Sequence, residues 1–327
     1  MSNSSVSSIH DEPFAVILTL LSVLVLAIGA AGNVLVLIAI YFVKRLHTTS
    51  NAFIANLSVS DFGALIAGVT TIILGLFKES SMIGQDRWVC PVLLHITFIF
   101  VFTSITTLQC IAVDRYMIIT KPRQIYRKYF TRQGTALILV GTWVVGASIS
   151  IMALTVGGEA LYVEEIHACY INNENPKAWW SLTTAFLVAC VPCMIVIPYF
   201  FALTFLKIRK TRRRVEGSSS QGRSSNAGLS KEEVAVTRMM LVVYLTFIVC
   251  WLPMLLIHFS HYDTHPLYQL HYISCLLALI NSALNPMVYA GMNRFLRHSF
   301  SKVLKCAPAH SRENTSISLN YTANQHF

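Results

Sequence analysis

Long apolar runs separated by short polar breaks dominate the chain. Residues 14–43, 50–77, 88–119, 133–156, 178–206, 234–259 and 267–291 are almost free of charged side chains. Each exceeds the about 20 residues that an α-helix needs to cross a bilayer's hydrocarbon. Lipid leaves a backbone group no partner except inside a helix or a closed barrel, so the pattern predicts an all-α membrane protein with seven spanning helices. The third run anchors the arrangement. From Pro91 to Val113 it carries no Asp, Glu, Lys or Arg, with Cys90 at one end and Asp114-Arg115-Tyr116 at the other. At helical rise Cys90 and Arg115 stand roughly 37 Å apart, on opposite sides of the membrane.

The polar breaks set the orientation. Of the 25 Lys and Arg residues, only Lys78, Arg87 and Lys177 fall in the segments that follow even-numbered spans. All the others lie after odd-numbered spans or in the tail, which makes that side cytoplasmic. Residues 1–13 are then an extracellular N-terminus, and Asn3, in the sequon Asn3-Ser4-Ser5, is a glycosylation candidate. Within 207–230 the basic run from Lys207 to Arg214 extends the fifth helix into the cytosol, and the Ser/Gly-rich remainder is a flexible linker. Next to a span, that run is a topology signal and a contact for lipid headgroups rather than a nucleic-acid patch. Residues 293–305 place Phe295, Leu296, Phe300, Val303 and Leu304 on one helical face and bases on the other, the pattern of a short amphipathic helix on the inner leaflet. Cys306 beyond it is a palmitoylation candidate. The polar tail 306–327 is expected to be disordered, and residues 14–291 form the membrane domain.

Composition adds little. Hydrophobic residues make up 54% of the chain and charged residues 12%, against roughly 25% charged in soluble domains. The net charge of +10 is explained by the cytoplasmic bias, so no nucleic-acid partner is expected. Eight dispersed cysteines do not make a disulfide scaffold, and Cys190-Val191-Pro192-Cys193 sits inside an apolar span, where it reads as packing. The first run is too long for a cleavable leader and serves as both span and insertion signal.

One motif per span, in order, carries a resemblance to the rhodopsin-like (class A) G-protein-coupled receptors. The motifs are Gly32-Asn33, then Asn56-Leu57-Ser58-Val59-Ser60-Asp61, then Cys90 with Asp114-Arg115-Tyr116. Trp143, Pro192, Phe247-Ile248-Val249-Cys250-Trp251-Leu252-Pro253 and Asn285-Pro286-Met287-Val288-Tyr289 follow. The resemblance implies a ligand-activated receptor at the plasma membrane that signals to heterotrimeric G proteins, with arrestin as a further partner through the Ser/Thr-containing tail. It also implies a disulfide between Cys90 and Cys169.

Further roles follow from the same resemblance. Asp61, the one acid well inside a span, would hold sodium with Ser104, Asn281, Ser282 and Asn285, a carboxylate with neutral oxygens suited to a hard cation. The alternative is a protonated Asp61 in a hydrogen-bonded water pocket. Arg115 would pair at rest with Asp114 and with Glu233, twenty residues before Pro253. Trp251 would sense ligand above the hinge at Pro253, and Pro286 with Tyr289 would be its inner counterpart. Where relatives carry a tyrosine eight residues after the fifth-span proline, this chain has Phe200, with Tyr199 beside it.

The implied ligand positions are Thr97, Phe98, Val101, Thr184, Val188, Trp251, Met254, Leu255, His258, Cys275 and Leu279. Thr97 stands where amine receptors carry an aspartate, and Leu279 where opsins carry the retinal-binding lysine. A peptide terminus or a small non-amine molecule therefore fits better than an amine or retinal. An amine-like receptor, or an orphan or constitutively active one, of the same fold is the nearest alternative. A channel or transporter would need a continuous polar path or paired broken helices, and neither H-E-x-x-H nor G-x-S-x-G occurs to mark an enzyme. His258, His261, His265 and His271 gather near the outer edge of the last two spans, where they could answer to acidification or zinc.

Overall fold

The structure is a computed structural model that describes residues 12–76, 88–155, 160–163, 168–171, 176–219, 231–259 and 268–305. Its helices are α1 (Glu12–Phe42), α2 (Thr49–Leu76), α3 (Val89–Thr120), α4 (Arg123–Tyr129), α5 (Arg132–Thr155), α6 (Pro176–Ser219), α7 (Lys231–Phe259), α8 (Tyr268–Met292) and α9 (Arg294–Lys305). Seven of them, all but α4 and α9, are long and apolar enough to cross a membrane. Their bounds lie close to the hydropathy boundaries. The helix α6 departs most, continuing well past its apolar stretch through the basic run to Ser219.

Two features lie outside the hydropathy reading. A short helix, α4, follows α3 after Pro122, and its seven residues are too few and too polar to register as a span. A hairpin of β1 (Ala160–Val163) and β2 (Ala168–Ile171) stands between α5 and α6, antiparallel, with Tyr162 opposite Cys169. The fold is a helical bundle carrying one small extramembrane hairpin.

The hub is α3, which packs against α2, α4, α5, α6 and α7 and touches both strands. Its centre is buried: Phe102, Thr103 and Thr107 have no exposed surface. Small residues permit the close approaches. A Cβ on Gly146 of α5 would stand 2.9 Å from the Thr103 backbone nitrogen and 3.0 Å from the Ile99 carbonyl oxygen, so only glycine lets α5 lie on α3 there. Polar ties lock the same region. Trp143 Nε1 donates to Asn56 Oδ1 at 2.9 Å, while Asn56 Nδ2 donates to the Thr107 and Thr142 hydroxyls at 2.8 and 3.2 Å. On the far side, Asn33 Nδ2 donates to the carbonyls of Gly29 and Ser282, joining α1 to α8.

Apolar side chains on the outside of the bundle match a lipid solvent. Leu137 is 72% exposed and Val249 70%, exposures that in water would form an aggregation-prone surface. The terminal helix α9 starts at a side-chain cap, with Asn293 Oδ1 accepting from the Phe295 and Leu296 amides at 3.0 and 3.1 Å. Leu296 and Phe300 face inward, Arg294, Arg297 and His298 face out, and the Arg45 guanidinium lies 4.5 Å over the Phe295 ring.

Candidate functional site

A cavity of about 150 Å³ lies at one end of the bundle, among α2, α3, α6, α7 and α8. Its wall is mostly apolar: Ile72, Leu94, Phe98, Val101, Leu182, Phe186, Met254, Ile257, Ala278 and Leu279. Phe186 and Phe247 each pack a ring near Trp251, at 6.5 and 5.8 Å between centroids, and all three line the cavity. The disulfide Cys90–Cys169 ties β2 to the start of α3, and Cys169 itself lines the cavity. His258 is held on α7 by its Nε2 contact with the Thr183 hydroxyl at 2.9 Å and by stacking on Trp179.

Below the apolar section the cavity reaches Ser104, Asn281 and Ser282, and these lead to Asp61. Asp61 is fully buried. Its Oδ1 accepts from the Ser104 and Ser282 hydroxyls, each at 3.0 Å, and its Oδ2 from Asn285 Nδ2 at 2.7 Å. Among the described residues, the side-chain oxygens of Asn281, which lines the cavity, and of Asn285 are buried with no hydrogen-bond partner. A buried carboxylate held by two hydroxyls and an amide, with further buried amide oxygens left unsatisfied on α8, offers the kind of oxygen donors a hard cation takes. The residues fit sodium.

At the opposite end of α3, Asp114 is the centre of a third cluster. Arg115 Nη2 lies 2.5 Å from Asp114 Oδ2, which also accepts from the Ser50 hydroxyl at 2.8 Å. The Tyr126 hydroxyl donates to Asp114 Oδ1 at 2.9 Å and lies 2.7 Å from the Thr49 hydroxyl. Burial, reinforced by the Asp114 charge, pushes the Tyr126 phenol up to about 12, so it stays a donor at physiological pH. The helix α4 carries this tyrosine, whose ring stacks on Phe130 at 4.8 Å. Hydropathy gives no sign of α4, although a tyrosine twelve residues after Asp114 is within loop reach.

A model of the family described as 7 transmembrane receptor (rhodopsin family) matches residues 32–289. The chain belongs to that family. Among curated relatives, the receptor is 28% identical over 307 residues to Melanopsin-B of Xenopus laevis, covering 90% of this chain and 56% of that one. It is 28% identical over 291 residues to Trace amine-associated receptor 9 of Homo sapiens, covering 85% and 80%. The chain thus spans little more than half the length of the first of these relatives. A crystal structure of squid rhodopsin superposes with a TM-score of 0.73 at 20% identity, covering 92% of this chain and 89% of that one, which shows the fold.

Most implied ligand positions of the receptor meet at the cavity: Thr97, Phe98, Val101, Trp251, Met254, His258, Cys275 and Leu279 all line it. Thr184 and Val188 do not. Both are exposed on α6, and the Thr184 hydroxyl turns back to the Trp180 carbonyl. The wall uses Leu182 and Phe186 instead, two positions earlier, which is about 200° round the helix and so on the opposite face. Leu255 is half-buried against the neighbouring core and does not line the cavity. His271 and Tyr272 do line it, and the four-residue spacing of His271, Cys275 and Leu279 is the signal that would have placed His271 there.

The inner residues are only partly brought together. Among the described residues the polar contacts of Arg115 are with Asp114, and Glu233 of α7 is not among them. Tyr116 packs its ring on Phe200 at 4.8 Å, while Tyr199 points outward at 57% exposure. Tyr289 is fully buried, and its hydroxyl has no partner among the described residues. Pro253 and Pro286 lie inside α7 and α8. Cys190 and Cys193 are buried free thiols. Asn3, His261, His265 and Cys306 lie outside the described residues. Among those described, no group of three or more His, Cys, Asp or Glu is arranged to hold a metal ion.

Proposed function

We propose that this receptor converts an extracellular ligand signal into nucleotide exchange on a heterotrimeric G protein at the plasma membrane. Its N-terminus is outside and its C-terminus inside. The observation that carries this reading is the stacking of three sites along one hub helix. Thr97 and Val101 of α3 line the cavity, Ser104 binds Asp61 one turn further on, and Arg115 closes the helix against Asp114. Ligand contact with Trp251 bears on the proline-weakened section of α7, which packs on α3. Loosening that contact opens the inner ends of the helices, where Arg115 is available to a partner.

Sodium is the ion this reading assigns to Asp61, Ser104, Asn281, Ser282 and Asn285; when bound it neutralises the buried carboxylate and favours the resting packing. Glu233 is assigned to the resting state as a second, water-side partner for Arg115. Arrestin contacts the Ser/Thr-containing tail, α9 and Cys306 attach that tail to lipid, and Asn3 carries glycan. Two ligand classes suggested by relatives' names are opposed by single residues facing the cavity. Thr97 gives an amine no counter-charge, and Leu279 gives retinal no amine to condense with.

The test is Arg115→Ala in cells expressing several G-protein reporters, with surface level measured in parallel. Loss of agonist-driven exchange at normal surface expression is the expected result. Full coupling in that variant would overturn the assignment.

A further inference from the structure

Aromatic rings are what the cavity offers most. Phe98, Phe186, Phe247 and Trp251 all line it, and each packs on the next. Centroids lie 6.5 Å apart from Phe98 to Phe186, 6.5 Å from Phe186 to Trp251 and 5.8 Å from Trp251 to Phe247. The hydroxyl donors of the wall are already spent. Those of Thr71 and Thr97 go to the Ala67 and Leu93 carbonyls at 2.9 and 2.8 Å, and those of Ser104 and Ser282 go to Asp61. His258 meets the Thr183 hydroxyl at 2.9 Å and His271 the Cys275 thiol at 3.6 Å, and both residues have further partners. Asn281, beside Ser282, keeps a side-chain oxygen without a partner among the described residues, but that oxygen is buried. No Asp, Glu, Lys or Arg lines the cavity among the described residues.

Such a wall selects by what it cannot repay. A charged group would lose its water here and meet no carboxylate, lysine or arginine in return, the costly way to bury an ion. Ring faces attract cations, but by less than that cost. An uncharged ring gives up no hydration of that kind, and it gains offset or edge-to-face contact beyond the area it buries. A cavity of about 150 Å³ holds a body on the scale of one benzene ring.

We propose that the cavity takes a small uncharged aromatic molecule of one ring, held by Phe98, Phe186, Phe247 and Trp251 and by no ionic contact. This rests on the reading of the cavity as the ligand site, but not on G-protein coupling. Binding is therefore measured by calorimetry on the purified receptor in lipid nanodiscs without any G protein, with the heat from empty nanodiscs subtracted. The probes are ethylbenzene and cumene, their charged isosteres benzylamine and benzoate, and ethylcyclohexane. The two hydrocarbons are expected to bind at least about a hundredfold more tightly than their charged isosteres. Ethylbenzene should bind about threefold to tenfold more tightly than ethylcyclohexane, the worth of one good ring contact.

Phe186→Leu and Phe98→Leu keep the wall apolar but remove a ring, and in each the preference for ethylbenzene over ethylcyclohexane should shrink towards one. That ratio is read within a single variant, so a general loss of stability does not imitate it. Thr97→Asp supplies the missing counter-charge and should reverse the order, with benzylamine then binding more tightly than ethylbenzene. The thermal midpoint of each ligand-free variant reports its folding. Benzylamine or benzoate binding the parent as well as its hydrocarbon isostere would overturn the proposal. So would no saturable binding of ethylbenzene up to its solubility, or a ring preference that survives both leucine substitutions. Hydrocarbons that bind as expected but drive no nucleotide exchange would leave the proposal standing and count against the coupling reading instead.

Discussion

Asp61 shows how much a single buried acid can be made to do. A carboxylate without surface exposure is held here by two hydroxyls and one amide, and among the described residues the buried side-chain oxygens of Asn281 and Asn285 lack partners. Unsatisfied acceptors next to an anion raise the energy of the empty arrangement, and a cation relieves both at once. A ligand and an ion that prefer opposite packings must change each other's affinity by the same factor. Raising sodium at constant ionic strength should therefore weaken agonist binding, by about 5- to 150-fold at saturation if the coupling is of ordinary size. Asp61→Asn should remove that dependence. Radioligand competition in sodium against N-methylglucamine chloride checks it, and agonist affinity indifferent to sodium in the parent would sink the site. Four of the five expected residues, Asp61, Ser104, Ser282 and Asn285, are joined by hydrogen bonds, and Asn281 lines the cavity beside Ser282. They were legible because an acid in an apolar span and asparagines four apart on one face stand out from their surroundings. Thr184 and Val188 were not. Counting from Pro192 fixes distance along α6 but not its rotation, and two prolines in one helix, Pro192 and Pro198, remove the regular backbone bonding that would have carried the face unchanged.

At the scale of elements, the hairpin and α4 are the parts hydropathy does not announce. Both are short, and both are placed by one tertiary contact rather than by a repeating pattern. For α4 the contact is Tyr126 on Asp114. For β2 it is the bond from Cys169 to Cys90, which closes a loop of 79 residues. By contrast the spans declare themselves, because lipid punishes every charge along some 20 residues. The disulfide predicts its own removal. Cys169→Ser frees β2 from α3 and should cost about 2–5 kcal/mol, read as a lower thermal midpoint in detergent. Ligand affinity should fall with it, since Cys169 forms part of the cavity wall. An unchanged midpoint would mean that the packing of β1 and β2 on α3 holds the hairpin without the bond. The inner face carries a departure that bears on the same scale. Phe200 spends its ring on Tyr116, and Tyr199 faces outward, so α6 brings no phenol hydroxyl to the place where the Tyr289 hydroxyl has no partner among the described residues.

The whole molecule is seven spans about one hub, and among the described residues its longest member offers a lever. The helix α6 runs 44 residues from Pro176 to Ser219, about 66 Å at helical rise, twice what a bilayer's hydrocarbon needs. The two prolines within it, where backbone bonding is weakest, divide it unequally. From Pro192 the outer arm is about 24 Å long and the inner arm about 40 Å. A helix that rocks as one piece about Pro192, its packing holding it straight there, multiplies displacement by roughly 1.7. Spin labels at Trp180 and at Arg213, each measured against α5, should report it: on agonist binding the inner distance should change by more than the outer one, by about that gain. Equal shifts would show that the helix translates instead of rocking. A side chain repacking by 1 Å beside the cavity would then arrive on the far side of the membrane already enlarged, and the protein's coarse movement would be a property of where one proline falls along a rod.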